Sequence, residues 1–221
     1  MPGARIAIIN TRAANLHSVS KALEKVGANA AVTSDPVELA AADAAVLPGV
    51  GASDAALRAL KTQGLTATVR DFAASGRPLL CVCLGMQILF DRSEEGELPG
   101  LGIMPGEVKL FPPDLADAQG HRLKVPHMGW NSVQFTGEIS ERHPAFADIP
   151  QDTHFYFVHS YHCVPANSSD TAATADYGVQ VCAAVVRDNV VGTQFHPEKS
   201  GDMGLAIYSN FTRHAAAAAA R

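Results

Sequence analysis

The sequence has little of what marks membrane, secreted or nucleic-acid-binding proteins. Its apolar runs are all too short to span a bilayer, and the run from Ile6 to Ile9 is too short for a signal-peptide core. Lysine and arginine form no block, and the net charge of −5 provides no electrostatic footprint for nucleic acid. These absences predict a cytoplasmic protein that binds neither a membrane nor nucleic acid.

Cysteine is also scarce, which limits the redox and metal chemistry available to the chain. The 221 residues contain four cysteines. They are Cys81, Cys83, Cys163 and Cys182. Their spacing matches neither a disulfide scaffold nor a zinc site, so we expect reduced thiols and no metal or cofactor.

Internal repeats and linker-like stretches are absent as well. With 47% hydrophobic residues, the chain can bury one sizeable core. The alanine run near the C-terminus is expected to form a frayed helical tail. We therefore predict a single domain over residues 1–214, followed by an Ala-rich tail over residues 215–221.

The first half of the chain alternates short apolar runs with amphipathic helical patterns. Arg5 to Ile9, Ala44 to Leu47 and Pro78 to Cys83 have the composition of buried strands, and the segments between them have helical spacing. Ser53 is expected to cap one of these helices. Strands that alternate with helices predict an α/β fold with a mostly parallel open sheet flanked by helices.

The second half is richer in turns and β-branched residues. The segment Thr153 to Tyr161 is predicted to be one strand, and a hairpin is predicted about Arg187-Asp188. The C-terminal half should therefore add antiparallel strands, and a helix over Gly204 to His214 should close the fold. A metal site at the histidines of the predicted strand is not expected, because His159 and His162 should face opposite sides.

The stretch LLCVCLGMQILF, residues 79–90, joins two apolar segments through two cysteines and a glycine. A strand ending at Cys83, a turn at Leu84-Gly85 and a helix from Met86 would form a nucleophile elbow. The backbone N–H groups at such a turn lower a thiol pKa and can hold an oxyanion. Cys83 is the predicted nucleophile, and Cys81 is expected to pack deeper on the same face. Alternatively, both are small buried residues at a strand end.

A thiol nucleophile needs a base, and the base needs a group that orients it. A predicted strand delivers His196, and Glu198 can turn back onto its imidazole; the alternative is that both are ordinary loop residues. The glycines of Leu47 to Gly51 allow the backbone to approach a ligand, so an N–H there could complete an oxyanion hole. Taken alone, that segment is equally an ordinary strand-to-helix turn.

Three motifs, which follow one another in the chain as P-G-V-G, C-L-G-M-Q and Q-F-H-P-E-K-S, resemble the class I (triad) glutamine amidotransferases, which have a flavodoxin-like fold. The stretches Pro126 to Asn131 and Tyr156 to Tyr161 resemble the glutaminase subunits of imidazole glycerol phosphate synthase within that family, and Ala14 to Val19 fits them too. The resemblance covers about Ile6 to Phe211. Cys81 stands where the family usually has glycine, and Arg12 lies in a loop that usually begins with Asp and carries Gly.

The resemblance implies a role for each matching residue. Cys83 would attack the side-chain amide of glutamine, His196 would protonate the departing ammonia, and Glu198 would orient His196. The oxyanion would be held by backbone N–H groups at Gly51 and Leu84. The residues that would hold glutamine are Gln87, Ser160 and Tyr161. Those that would face a partner are Asn15, Trp130, Tyr156 and Lys199.

The implied partner is a (β/α)₈ cyclase subunit in a heterodimer. It would receive the ammonia and form imidazole glycerol phosphate and an aminoimidazole carboxamide ribotide in histidine biosynthesis. Three other interpretations stay open on the residues alone. They are the glutaminase of another amidotransferase, a free-standing thiol hydrolase, and a non-catalytic binding module.

Overall fold

The structure is a computed structural model that describes residues 3–12, 15–138 and 141–220. Its first half contains four strands, β1 (Arg5–Ile9), β2 (Asn29–Thr33), β3 (Ala44–Gly49) and β4 (Leu79–Cys83). The helices of this half are α1 (Leu16–Lys25), α2 (Pro36–Ala40), α3 (Ser53–Thr62), α4 (Leu65–Ala74) and α5 (Leu84–Gln87).

The second half is mostly strand and ends in one long helix. Its strands are β5 (Arg92–Ser93), β6 (Gly106–Leu110), β7 (His127–Phe135), β8 (Thr153–His159), β9 (Tyr161–Pro165), β10 (Thr171–Asp176), β11 (Gln180–Arg187) and β12 (Val190–Thr193). A single 3-10 turn, Pro197–Lys199, leads into the last helix, α6 (Gly201–Ala219).

Nine strands form the main sheet, in the order β2-β1-β3-β4-β12-β11-β10-β7-β8. The first five run parallel, and every later neighbour is antiparallel. The strand order that begins 2-1-3-4 is that of flavodoxin-like folds, in which ligands bind at the carboxyl ends of the parallel strands. The predicted α/β class is therefore confirmed. A smaller sheet, β5-β6-β9, lies beside it.

The two faces of the main sheet carry separate cores. On one face, α1 and α6 pack through residues such as Leu23 and Phe211. On the other, α2, α3 and α4 pack through residues such as Leu60 and Phe72. Helices on both faces bury the central parallel strands β3 and β4 completely, which explains why these two strands consist of small and apolar residues.

Four sequence-based expectations differ from the structure. Ser53 does not cap α3: it is the first residue of the helix, and its hydroxyl makes no hydrogen bond with the described residues. The predicted strand from Thr153 divides at Ser160 into β8 and β9, so His159 and His162 lie in different strands. The final helix begins earlier than predicted, and it continues through the alanine run as far as Ala219, with Ala215 buried.

Parts of the predicted segments lie outside the described residues. They are residues 1–2, 139–140 and 221 of the predicted domain and tail, and Ala13 and Ala14, which belong to the predicted loop after the first strand and to the motif that begins at Ala14. The domain boundary at residue 214 stays a prediction.

Candidate active site

The end of β4 has the backbone of a tight elbow. Cys83 has a φ of 52° and a ψ of −109°, which an L-residue rarely adopts, and α5 begins at the next residue. Gly85 allows this turn to lie against β3, because a Cβ at this position would be only 1.9 Å from the carbonyl oxygen of Leu47. Glycine at position 85 is thus required by the close approach of two backbones.

The two cysteines of β4 do not face the same side, contrary to the prediction. Cys81 packs in the core beneath α3 and α4, whereas Cys83 contacts the core on the opposite face. The elbow causes this difference, because its positive φ breaks the two-residue alternation of the strand. Burial raises the pKa of Cys81, and it raises that of Cys182 to about 12.

His196 and Glu198 form a buried hydrogen-bonded pair beside Cys83. The backbone N–H of His196 donates to the carbonyl of Tyr156 at 2.9 Å, which fixes the residue at the end of the sheet. Its Nδ1 donates to Oε1 of Glu198 at 2.7 Å, and the side chains are only 1% and 2% exposed. The Nε2 atom is buried, makes no hydrogen bond of normal geometry with the described residues, and interacts with Cys83.

The charge of His196 is set by competing effects. Burial disfavours the imidazolium, but interactions with Cys83 and Glu198 outweigh it and raise the pKa of His196 to about 10. The imidazole therefore holds a proton at neutral pH and can act as an acid. This is the arrangement that a thiol hydrolase needs when an amine leaves.

A cleft of about 590 Å³ opens above Cys83. It brings together most of the residues that the sequence singled out. Its lining includes Asn15, Gly51, Cys83, Leu84, Gln87, Ser160, Tyr161, His196 and Lys199. Glu95, Pro126 and His159 also line it, and none of the three was expected from the sequence to lie there. Gly51 has a φ of +83°, so glycine suits this position in the loop that faces the elbow.

The amide of Gln87 has a fixed orientation. Its Nε2 donates to the carbonyl of Tyr161 at 2.9 Å and to Oε1 of Gln194 at 3.0 Å. Both hydrogens are therefore used inside the protein, and Gln87 can offer a ligand only its carbonyl oxygen. Gln194 is fully buried and is the first residue of the motif Q-F-H-P-E, but the sequence does not indicate a role for it.

Tyr208 is a second residue that sequence reasoning missed. It lies on α6, and burial together with the neighbouring Glu198 raises the pKa of its hydroxyl. Oε2 of Glu198 and the hydroxyl of Tyr208 are both buried without a hydrogen bond of normal geometry among the described residues. The hydroxyl can donate and the carboxylate can accept, so each group can satisfy the other. A tyrosine in the interior of a helix gives no sequence signal for such a contact.

Three of the residues expected to face a partner, Trp130, Tyr156 and Lys199, lie next to one another. Trp130 is 57% exposed and packs edge-on against Tyr156, and Nζ of Lys199 lies 5.7 Å from the centre of the Tyr156 ring. Met128, two residues from Trp130, is 61% exposed. Asn15 lines the cleft together with Lys199, and its side chain accepts from the N–H of Ser18 and caps α1.

Metal-binding clusters and membrane-spanning helices are both absent from the part of the chain that the structure describes. Within these residues, no three histidine, cysteine or acidic side chains are placed to share a metal ion. None of the described helices is long and apolar enough to cross a membrane.

Residues 7–215 match the family model described as glutamine amidotransferase class-I. A subunit named imidazole glycerol phosphate synthase subunit HisH, from Syntrophotalea carbinolica, is 50% identical over 93% of this chain and 98% of its own length. A subunit of the same name from Acinetobacter baylyi is 49% identical over 94% and 97%. The crystal structure of a glutamine amidotransferase superposes with a TM-score of 0.70 at 19% identity, over 95% of this chain and 98% of that one. At this sequence identity, the structural likeness shows only that the two proteins share a fold.

Proposed function

The chain belongs to the class I glutamine amidotransferase family, and we propose that it hydrolyses glutamine through Cys83, His196 and Glu198. It is the glutaminase subunit of imidazole glycerol phosphate synthase in histidine biosynthesis, which its likeness to relatives bearing that subunit name supports. The observation that carries the mechanism is the meeting of Cys83 with the hydrogen-bonded pair His196–Glu198 in one cleft.

In the first half of the reaction, the Cys83 sulfur attacks the carbon of the glutamine side-chain amide. A C–S bond forms and the carbonyl oxygen becomes an oxyanion. When this intermediate collapses, the C–N bond breaks and the leaving nitrogen takes a proton from Nε2 of His196. The products are ammonia and a γ-glutamyl thioester on Cys83.

In the second half, water replaces ammonia. Neutral His196 now removes a proton from the water, which attacks the thioester, and the C–S bond breaks to release glutamate and regenerate the thiolate. Glu198 keeps Nδ1 of His196 protonated and stabilises the imidazolium as it forms.

The oxyanion is held by backbone donors on two sides of the sulfur, the N–H of Leu84 at the start of α5 and that of Gly51 in the facing loop. One such donor stabilises the transition state by about 3–4 kcal/mol. Turning the Gly51 peptide away would therefore slow the reaction by roughly two to three orders of magnitude. We propose that the free subunit is held nearly inactive in this way until a partner docks.

Glutamine itself is held by Gln87, Ser160 and Tyr161. Gln87 presents a carbonyl oxygen because its N–H groups are occupied, so it suits the α-ammonium group of the substrate. Ser160 and Tyr161 lie where β8 passes into β9, at the wall of the same cleft.

The partner is the cyclase subunit, and the two form a heterodimer in the cytoplasm. The exposed side chains of Met128 and Trp130 provide the apolar surface for this contact, and Lys199 provides a charge beside the cleft mouth. A partner seated there would cover the cleft, so ammonia could pass directly through a channel to the cyclase. That lyase reaction yields imidazole glycerol phosphate and an aminoimidazole carboxamide ribotide.

Glutamine turnover tests this proposal against a free-standing hydrolase. Glutamate formation should be slow for the isolated chain, faster with the cyclase, and fastest when the cyclase also holds its ribonucleotide ligand. The Cys83→Ala variant is the control and should form no glutamate under any condition. Equal rates for the wild type in all three conditions would contradict the activation mechanism and favour a free-standing hydrolase.

A further inference from the structure

We propose that Gln194 is a further catalytic residue, whose side-chain amide donates a hydrogen bond to the Cys83 sulfur and stabilises the thiolate. The inference deepens the proposed function and rests on Cys83 being the nucleophile. Gln194 directly follows β12, the strand that pairs in parallel with β4. It is fully buried, and its backbone N–H donates to the carbonyl of Ala183 at 2.8 Å.

The contact with the sulfur is direct. Nε2 of Gln194 lies 3.6 Å from Sγ of Cys83, a hydrogen-bonding distance for an atom as large as sulfur. Neighbouring strands bring the two residues together, although they are 111 positions apart in the chain. A donor in this position needs no charge of its own to favour an anionic sulfur over a neutral thiol.

The orientation of the Gln194 amide follows from a single backbone carbonyl. The Tyr161 oxygen can only accept hydrogen bonds, so the Gln87 atom that faces it must be the nitrogen. That nitrogen also faces Gln194, so the Gln194 atom that meets it must be the oxygen. The Gln194 nitrogen is then the atom directed at Cys83, and the amide cannot be reversed without breaking two hydrogen bonds.

The same carbonyl extends the network away from the nucleophile. Nδ1 of His159 donates to the Tyr161 oxygen at 2.8 Å, which leaves Nε2 of His159 as an acceptor for Nδ1 of His127 at 3.1 Å. Nε2 of His127 in turn faces the amide nitrogen of Asn131 at 3.3 Å, and that nitrogen also donates to the carbonyl of Asp176. The backbone carbonyls of Tyr161 and Asp176 thus fix the donor and the acceptor of every hydrogen bond in this network.

Several other groups influence the sulfur, and the role of Gln194 must be separated from theirs. His196 interacts with it directly, and Glu198 lies behind His196. The thiol of Cys163 in β9 also interacts with Cys83, and Glu95 and Lys199 lie across the cleft. Gln194 differs from all of these because it is neutral at every pH, so its contribution does not titrate.

The test measures how fast iodoacetamide alkylates Cys83 as a function of pH. The other three cysteines are buried, with pKa values raised by burial, so they should not react. In Gln194→Met, which has similar length but no donor, we expect the midpoint of the rate profile to rise by about one pH unit. Glutamine turnover at neutral pH should fall roughly tenfold.

Gln194→Glu is the second variant, because it keeps the shape of the side chain but replaces the donor with an acceptor. The midpoint should rise further than in the methionine variant. The matched control is Gln151→Met, which removes an amide that donates to the carbonyl of Phe135 in β7 and touches no part of the cleft. Its alkylation profile should match the wild type.

An unchanged midpoint in a folded Gln194 variant would overturn the inference, even if turnover fell, because it would assign the residue a purely structural role. A fall in the midpoint would overturn it too. Failure of the proposed function looks different, since alkylation requires neither glutamine nor the cyclase. In that case the wild type would alkylate at Cys83 without hydrolysing glutamine.

Discussion

Two cysteines in one short strand have different chemical environments. Cys81 is fully buried, and burial raises its pKa, so it should stay a neutral thiol. Cys83 borders the cleft, beside an imidazole whose pKa is raised to about 10 by its neighbours. A proton donor beside the sulfur is what the departure of ammonia requires, so we assign the nucleophile to Cys83.

Tyr208 provides the first prediction. Replacing it with Phe keeps the buried ring but removes the hydroxyl that faces Glu198. A buried carboxylate that loses a donor holds the imidazolium of His196 less well. We expect turnover to fall by about three- to tenfold, a cost of about 1 kcal/mol. The pKa of His196, followed by NMR, should move down from about 10.

The matched control is Tyr177→Phe, which removes a hydroxyl that donates to the carbonyl of Lys124, away from the pair His196–Glu198. That variant should change neither quantity. If Tyr208→Phe lowered stability alone, with turnover and the pKa of His196 unchanged, Tyr208 would be a packing residue only.

At the residue scale, the sequence predicted which side chains meet but not how their hydrogen bonds connect. The elbow pattern singled out Cys83 and the two-residue spacing singled out His196 and Glu198, whereas the meeting of Cys83 with His196 was implied by the family resemblance. Gln194 and Tyr208 were missed because their contacts join strands or helices that are distant in the chain. The face of Cys81 was predicted wrongly because strand alternation does not continue through a residue with positive φ.

At the scale of secondary structure, the elbow depends on how closely α5 approaches β3. In Gly85→Ala, the new Cβ would lie 1.9 Å from the carbonyl oxygen of Leu47, and backbone cannot move aside easily. We expect a loss of about 3 kcal/mol or more in the free energy of unfolding, measured with urea, and loss of glutamine turnover.

The control for that variant is Gly27→Ala. Gly27 has a φ of +75°, but a Cβ there meets nothing within 4 Å. Gly27→Ala should therefore lower the free energy of unfolding by only about 1 kcal/mol, the strain of an alanine at positive φ, and turnover should be retained. Equal stability losses in the two variants would contradict the claim that backbone contact at the elbow is the dominant constraint.

The paired histidines of β7 and β8 predict a pH dependence of stability. Burial lowers the pKa of His127 to about 4, and burial and the neighbouring His127 lower that of His159 to about 3. Both would titrate near 6.5 in the unfolded chain. As the pH falls below about 6.5, the unfolded chain therefore gains protons that the folded chain does not, and each imidazole removes up to about 1.4 kcal/mol per pH unit.

His127→Phe tests this effect. The ring remains between Phe157 and Tyr177, with which His127 stacks, but it can no longer take up a proton. The free energy of unfolding should fall less steeply between pH 6.5 and pH 4 than in the wild type. The difference in slope should be up to about 1.4 kcal/mol per pH unit, which is the contribution of one imidazole. An unchanged slope would show that His127 is not held neutral in the folded protein.

The helices and strands around these sites were predicted best where the pattern was local. The strands β1, β3 and β4 match the predicted segments to within two residues, because a short apolar run is a local property. The division at Ser160 was missed, because the side chains on either side remain aromatic or β-branched and only the change of sheet separates them. Ser53 was misjudged as a cap because the helix begins at Ser53 itself.

For the whole molecule, the sheet places the cleft and the exposed aromatic surface together. The parallel strand β4 ends at Cys83. The antiparallel strands β7 and β8 carry Trp130 and Tyr156 as cross-strand neighbours. The fold class followed from the strand–helix alternation, whereas the antiparallel order depends on long-range pairing that no local pattern reveals. We expect a partner to bind this surface.

Trp130→Ala tests the docking surface. A large exposed aromatic at the centre of an interface is typically worth 2 kcal/mol or more, so cyclase affinity, measured by calorimetry, should fall by at least about thirtyfold. The control is Val37→Ala. Val37 is 75% exposed on α2, beside the opposite edge of the sheet, and its loss should leave the affinity unchanged. Equal affinities for Trp130→Ala and the wild type would place the interface elsewhere.

The proposed mechanism depends most on Cys83 as the nucleophile, and an electrophilic analogue of glutamine tests this role directly. The analogue should label one cysteine in the complex with the cyclase, and fragmentation of the labelled peptide is needed to locate it, because Cys81 and Cys83 fall on the same tryptic peptide. We predict a label on Cys83 alone, kept in Cys81→Ala and absent from Cys83→Ala. A label on Cys81, or labelling that survives in Cys83→Ala, would contradict the account.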